Sequence, residues 1–271
     1  MADYLLRRRN PDGGFCYYSL DESNLNDTSY AVLILDLLGG LPQDKKTIDY
    51  IRAFQSEDGS FFSPFSAWCV LTTLKVMNVE PEFNPGDYAL HLLRERGIRD
   101  NVYIERLSIF ESSYYLASIL TLVGRPELCG IIAKNVLEYR LPDGTFGRGD
   151  SSIISTYHAL SVLKMAGKPM GNFTDTASYV LSCAVESGGF TKKPLTGLAF
   201  MDETYFAVMT LDLLGKRPEH LRETIGFISD CQNDNGGFRR ARASGISGFE
   251  TSYYAVESLR TLIQAQDALK K

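Results

Sequence analysis

Cys231-Gln232-Asn233-Asp234-Asn235-Gly236-Gly237-Phe238, followed after a polar loop by Glu250-Thr251-Ser252-Tyr253-Tyr254-Ala255-Val256, is a phrase that recurs along the chain. Its first copy is Asn10-Pro11-Asp12-Gly13-Gly14-Phe15 with Asp27-Thr28-Ser29-Tyr30-Ala31-Val32. Further loops read Asp58-Gly59-Ser60-Phe61, Asp143-Gly144-Thr145-Phe146 and Gly188-Gly189-Phe190. One gap remains between Phe61 and Phe146. Tyr103, in Asp100-Asn101-Val102-Tyr103, stands midway through it and is followed by Ser112-Ser113-Tyr114-Tyr115-Leu116-Ala117, which makes it a degenerate third copy. The result is six repeats with a period of roughly 42 to 48 residues, the signature of stacked helical hairpins. They fill residues 1–271, so a single domain is expected.

Each repeat carries two helical patterns. The first is amphipathic, as in Ile48, Ile51, Ala53 and Phe54, or Ile131, Ile132, Val136 and Leu137, or Ile225, Phe227 and Ile228, each set interleaved with polar and charged residues. Such helices keep one wet face. The second pattern is apolar all round, as in Tyr30 to Leu38, Tyr114 to Val123 and Tyr205 to Leu214, and belongs inside. Asp27 or Thr28, Ser112, Ser155, Asp202 and Glu250 precede these apolar runs as capping residues, and Gly39-Gly40, Asn78, Gly124, Gly167 and Gly215 end them. The loop glycines supply positive φ or close chain approach, and the loop Phe wedges between hairpins. An open array would need polar capping repeats. Neither end copy looks like one, so the array is expected to close into an all-α ring.

The chain has 271 residues and a net charge of −5, which gives no electrostatic reason to expect nucleic acid or an anionic membrane surface as partner. No apolar run reaches the roughly 18 residues of a membrane span, and the N-terminal stretch lacks a signal-peptide pattern, so a cytoplasmic protein is expected. The five cysteines, 16, 69, 129, 183 and 231, form no C-x-x-C pair and read as buried thiols.

The loop, the Thr/Ser-Tyr-x-Ala helix start and the Leu-Gly stop recur together, and in this the chain resembles the prenyltransferase and squalene-cyclase repeat family over essentially its whole length. The resemblance implies an α/α toroid of six helical hairpins with inner helices around a funnel-shaped cavity. It is nearest to the β subunits of protein prenyltransferases of the geranylgeranyl-transferring type, which work with a helical partner subunit. In those enzymes zinc is held by an Asp and a Cys two residues apart and by a His on the next inner helix. Here the first place reads Asp202-Glu203-Thr204-Tyr205 and the second Glu250-Thr251-Ser252-Tyr253. Hydroxyls are poor zinc ligands, so no zinc of the family type is expected. The Asp-x-Asp-Asp acid of the cyclases is absent as well.

Aligning the repeats on their terminal Gly makes Asn26, Phe65, Glu111, Ile154, Asp202 and Glu250 equivalent, a ring at one mouth with three carboxylates. One turn deeper the ring is aromatic: Tyr30, Trp68, Tyr114, Tyr115, Tyr157, His158, Tyr205, Phe206, Tyr253 and Tyr254. These side chains either pack the helices together or line a cavity for a prenyl tail, at about 0.8 kcal/mol per buried methylene. A carboxylate about 5 Å from a phosphate charge would oppose it by roughly 3 kcal/mol at an effective dielectric near 20. A diphosphate therefore needs cations: Lys192, Lys193, Arg240 and Arg242, then Arg148, or a Mg²⁺ on Asp202 and Glu250, whose oxygens suit that hard ion. Three functions stay open. In the first the toroid transfers or cyclises the prenyl group of an isoprenoid diphosphate, with Tyr205 and Tyr253 beside the ionising carbon and Asp202 or Glu250 as metal ligand or base. In the others it only binds an isoprenoid or other lipid, or serves as a protein-interaction subunit.

Overall fold

The computed structural model describes residues 1–18, 22–40, 44–96, 107–243 and 245–267. Tyr103 and Pro42 lie outside them, and with them the loop proposed as the third copy. Twelve α-helices occur among the described residues, in six outer–inner pairs. The outer helices are α1 (Ala2–Leu6), α3 (Lys45–Arg52), α5 (Gly86–Arg96), α7 (Cys129–Leu137), α9 (Thr174–Ser182) and α11 (Leu221–Asp230). Their inner partners are α2 (Leu25–Leu37), α4 (Pro64–Val76), α6 (Ile109–Leu122), α8 (Ile153–Met165), α10 (Met201–Leu213) and α12 (Phe249–Asp267). Each inner helix packs on the next, and α12 packs on α2, so the array closes.

The loops explain why. Phe15, Phe146, Phe190 and Phe238 are buried, and the backbone N–H of each donates to a hydroxyl inside the following inner helix. The acceptors are Thr28 (2.9 Å), Thr156 (2.9 Å), Thr204 (3.0 Å) and Ser252 (3.0 Å). The loop Asp or Asn accepts from the backbone two residues on, as Asp12 does from Gly14, Asp143 from Thr145 and Asn235 from Gly237. Inner helices therefore start earlier than the sequence reading placed them. Asn24, Ser63, Ser108 and Ser152 cap α2, α4, α6 and α8, and Phe200 precedes α10 with no side-chain cap. Thr28 and Ser155 are already helical, because the hydroxyls committed to the loop amides, those of Thr28 and of Thr156 beside Ser155, must sit one turn inside.

The described loops also abut the start of the next outer helix. The Thr47 hydroxyl of α3 donates to the Gly13 carbonyl at 2.7 Å, and Thr176 of α9 does the same to Gly144 at 2.5 Å. A Cβ on Gly188 would lie 1.9 Å from the Glu223 carbonyl oxygen. Against the sixth loop stands α1, with Met1 and Tyr4 beside Gly236 and Gly237. Tyr4 donates its hydroxyl to the Ser247 carbonyl at 3.1 Å and sets its ring edge-on to Phe249, with centroids 5.6 Å apart. All five cysteines are buried and none is in a disulfide; burial pushes the thiols of Cys183 and Cys231 up to about 11.

Two glycines separate backbone conformation from close approach. Gly124 has φ +75° with open space around it, whereas Gly188 has φ +101° and the Glu223 carbonyl against it. Gly124→Ala should cost about 1–2 kcal/mol, the left-handed penalty alone. Gly188→Ala should cost clearly more in urea unfolding, because the α11 contact must open as well; equal losses would show that loop and outer helix are not held in register there.

Candidate functional site

Because the hydroxyl at Thr204 is turned to its loop, the residue two before it, Asp202, lies at the start of α10 on the mouth. Arg240, from the loop before α12, closes on it with two charge-assisted hydrogen bonds: Nε to Oδ1 at 2.9 Å and Nη2 to Oδ2 at 2.7 Å. The same guanidinium lies 4.6 Å over the Phe200 ring and 3.8 Å from Glu203 Oε2. Glu203 is 8% exposed, and its Oε2 has no hydrogen-bond partner. Burial, then the neighbouring Asp202 carboxylate, push its pKa up to about 7. Burial alone would raise Asp202 too, but hydrogen bonds from Arg240 and Glu203 and the charge of Arg240 hold it below the usual range. Two adjacent carboxyls thus differ in protonation near neutral pH, one an ion and one half protonated.

Across the mouth, Glu250 Oε1 accepts from the hydroxyls of Tyr30 (3.1 Å) and Tyr254 (2.9 Å). Glu111 accepts from the Ser108 backbone in a capping box. Beside Glu250 lies a pocket of about 380 Å³ lined by Tyr17, Asn26, Asp27, Arg240 and Phe249.

One turn in, the aromatic side chains form a belt. Ring centroids are 5.4 Å apart for Tyr30–Tyr253, 6.0 Å for Tyr253–Tyr205, 6.1 Å for Tyr205–Tyr157 and for Tyr157–Tyr114, and 6.5 Å for Tyr114–Trp68. Tyr205 stacks on Tyr254 at 4.4 Å. The belt faces the axis, since Tyr115 of α6 raises the pKa of both Tyr30 on α2 and Tyr254 on α12, helices that are not α6's neighbours in the ring. Burial dominates these shifts, so every belt phenol is neutral. His158 is 5% exposed with Nδ1 unpartnered; burial lowers it to about 4 against the opposing charge of Glu111. It is a neutral imidazole. Tyr114, Tyr115, Tyr157, Tyr253 and Tyr254 stay only half-buried at the centre of the molecule.

The other cations named from the sequence are not all at this place. Lys193 lies 3.6 Å from Asp150, Lys192 is exposed, and Arg148 is an exposed loop residue with a partner of its own. Arg242 faces outward: it pairs with Asp230 at 3.0 Å, donates to the Ser187 carbonyl and sits 5.3 Å over Phe227 of α11. Of Asp202, Tyr205, Glu250 and Tyr253, the first and third are at the mouth and the second and fourth in the belt. Glu203 was missed because Asp-Glu in a helix's first turn reads as a solvated dipole partner. That turn does not reveal the return of Arg240, which reaches Asp202 across 38 positions and stands 3.8 Å from Glu203.

The family model for the prenyltransferase alpha-alpha toroid domain matches residues 1–85, 105–198 and 196–271. The chain belongs to this family. Protein geranylgeranyltransferase-I of Candida albicans, in complex with GGPP, superposes with a TM-score of 0.70 at 14% identity, covering 89% of this chain and 85% of that one. A type II terpene cyclase from Scytonema, in complex with geranylgeranyl dihydroxybenzoate, gives 0.63 at 12% identity, with 97% and 94% covered. A glycosidase in complex with glucose gives 0.64 at 11% identity, with 97% and 94% covered. At these identities the likeness is one of fold, and the toroid carries unrelated chemistries. A search of the curated proteins finds no match. No helix among the described residues is long and apolar enough to cross a membrane.

The Glu203 carboxyl has a sign that can be measured. Its folded pKa of about 7 exceeds the ordinary 4.5, so the stabilisation from holding the proton is complete below pH 4.5 and is lost as pH rises through 7. Glu203→Gln should match the wild type near pH 4.5 and exceed it above pH 7 by on the order of 1–2 kcal/mol in urea unfolding. A constant difference across that window would mean that Glu203 is ionised in the fold.

Proposed function

We propose that this toroid binds an isoprenoid diphosphate, its hydrocarbon tail against the aromatic belt and its diphosphate at the mouth, and transfers or cyclises the prenyl group without a family-type zinc. The observation that carries the reading is the belt itself. Ten aromatic and imidazole side chains from six inner helices, Tyr30 and Trp68 through Tyr254, meet at one level of the axis, and six of them keep accessible surface there. Their faces suit a hydrocarbon and an allylic cation alike.

Donor chemistry argues against zinc. Asp202 is already gripped by Arg240, and the hydroxyls of Thr204 and Ser252 accept from loop amides. Among the described residues no three His, Cys, Asp or Glu side chains converge as a metal cluster. At the mouth Arg240 has N–H groups left for a phosphate oxygen, and Lys192 lies in the neighbouring loop. The carboxylates of Asp202, Glu250 and Glu111 oppose a bare diphosphate, so the ligand enters as its Mg²⁺ complex, the phosphates supplying most of the ligands. The Asp202–Glu203 pair then holds a proton that it can give to, or take from, the departing head group. Tyr205 and Tyr253 flank the carbon that ionises.

Trp68, the sole tryptophan, sits in the belt and reports on it. Adding geranyl or geranylgeranyl diphosphate with Mg²⁺ should quench or shift its emission and add the ligand's mass in native mass spectrometry. Arg240→Ala should weaken diphosphate binding by about tenfold or more, one charge-assisted contact, while leaving a prenyl alcohol unaffected. Absence of both signals with either diphosphate would retire the reading, and stoichiometric zinc in the purified protein would overturn its metal-free part. A helical partner subunit, if one is bound, adds its own mass to the same spectrum.

A further inference from the structure

At the seam where the ring closes, the first and last repeats enclose a pocket of about 610 Å³, with Arg8, Tyr17 and Tyr18 on one side and Asp234, Asn235 and Ser247 on the other. Taking Phe190, Phe238 and Phe15 as equivalent loop positions, the same place between the fifth and sixth repeats has Ser187 for Asn235, Ala199 for Ser247, Cys231 for Arg8 and Ala241 for Tyr18. There the cleft holds about 130 Å³ and is lined by Val185, Leu198 and Phe227, with the Arg242 guanidinium over that ring. The repeat by itself therefore makes a small, mostly apolar cleft. Only at the seam are a guanidinium, a carboxamide and two phenols built into it.

The bonds that hold these walls leave particular groups over. Asn235 Oδ1 accepts from the Gly237 amide and from the Ser247 hydroxyl, both at 2.9 Å, and its Nδ2 has no partner among the described residues. Arg8 gives Nε to the Tyr17 carbonyl at 2.9 Å and Nη1 to the Tyr4 carbonyl at 3.2 Å, which leaves Nη2. Arg239, at the same wall, is fully engaged by backbone carbonyls and Asn233. Asp234 is exposed, and no hydrogen bond or ion pair engages it among the described residues. Tyr18 is 49% exposed with its ring centroid 3.9 Å from that of Tyr17, and the hydrogen bond between the two phenols pushes the Tyr17 pKa up to about 12. An anion would find two N–H groups and face the Asp234 carboxylate. A cation would find Asp234 and face two guanidiniums. An apolar ligand would leave all three polar groups unpaired. A hydroxyl both donates and accepts, so it can serve the carboxylate and the N–H groups together, and a ring bearing several of them can lay its C–H face on Tyr18. We propose that the seam pocket is a binding site for a neutral glycosyl group. The inference goes beyond the isoprenoid reading and does not need it, although Tyr17, Gly245 and Ile246 line both this pocket and the one beside Glu250, so that an occupant lies next to the mouth.

The test is saturation-transfer NMR on the full chain with glucose, N-acetylglucosamine and maltose at millimolar concentration. Glutamine serves as a zwitterion and benzoate as a flat anion for comparison. The wild type should transfer saturation to the ring C–H protons of at least one sugar and to neither comparison compound. Asp234→Ala should weaken that sugar by about tenfold, the loss of charge-assisted hydrogen bonds, and Tyr18→Ala should weaken it and erase the preference for ring protons. Asp234 has no partner to lose, so its variant should keep the wild-type melting temperature, and it carries the test alone should Tyr18→Ala fail to fold. Silence from all three sugars overturns the inference, as does a sugar signal that Asp234→Ala leaves unchanged. Saturation of glutamine or benzoate in place of a sugar overturns the ligand class. Diphosphate binding is read separately at Trp68, so either reading can fail without the other.

Discussion

The hydrogen bond from a loop Phe amide to a Thr or Ser hydroxyl inside the next helix is the constraint on which the molecule depends. It occurs at Phe15–Thr28, Phe146–Thr156, Phe190–Thr204 and Phe238–Ser252. A buried N–H without it would cost about 1–3 kcal/mol, but its larger effect is rotational. Once the hydroxyl faces the loop, the residues two before it, one or two after it and five after it share the opposite side. Those are Asp202, Tyr205 with Phe206, and Met209 on α10, and Glu250, Tyr253 with Tyr254, and Glu257 on α12. The mouth, the belt and the level two turns inside are three consequences of one contact repeated around a ring. At the second loop Phe61 faces Ala67 in that place, and the α4 start is held instead by Ser63 and its partner Ser66.

The fold was legible because this constraint is local. Gly-Gly-Phe, a Thr or Ser, a Tyr and a terminal Leu-Gly fall at fixed distances, and each residue type has a reason that survives without its neighbours. Closure was legible only by exclusion. The element that performs it, α1, is five residues long and too short for any periodicity. Its role rests on Tyr4 meeting Ser247 and Phe249, contacts some 240 positions away in the chain. The helix starts were misplaced for a related reason: Thr28 and Ser155 have the composition of caps, but Asn24 and Ser152 cap those helices.

The site was legible in its layers and not in its pairings. Asp202, Glu250 and the belt could be assigned from register alone. Arg240 was read as free for a diphosphate, and the fold commits two of its N–H groups to Asp202. Arg242 differs from it by two positions and faces Asp230 on the outer side. An extended chain would put positions i and i+2 on one side; the backbone instead bends over residues 240–243 and parts the two guanidiniums, and a sequence read by charge count alone does not carry that distinction.

The acids of the axis are not equivalent in what the fold gains from them. Glu111, Asp202 and Glu250 lie in first turns, where the partial positive charge of a helix N-terminus favours an anion by about 0.3–1 kcal/mol each. Each also accepts hydrogen bonds, Glu111 from a capping box, Asp202 from Arg240 and Glu250 from two tyrosines. Their presence is accounted for by local structure before any ligand is considered. Glu257 has no first-turn position, and its one hydrogen bond is a long one from Arg260 on the same helix. It sits two turns inside α12, beyond the reach of the N-terminal dipole, with one oxygen unpartnered and two aspartates among the charges that face it. Burial and those aspartates raise its pKa, so its ionised form weakens the folded state rather than supporting it. Leu33 and Met209 show that an apolar side chain is accommodated at the same level. The stability of the toroid therefore does not explain a carboxylate at that position.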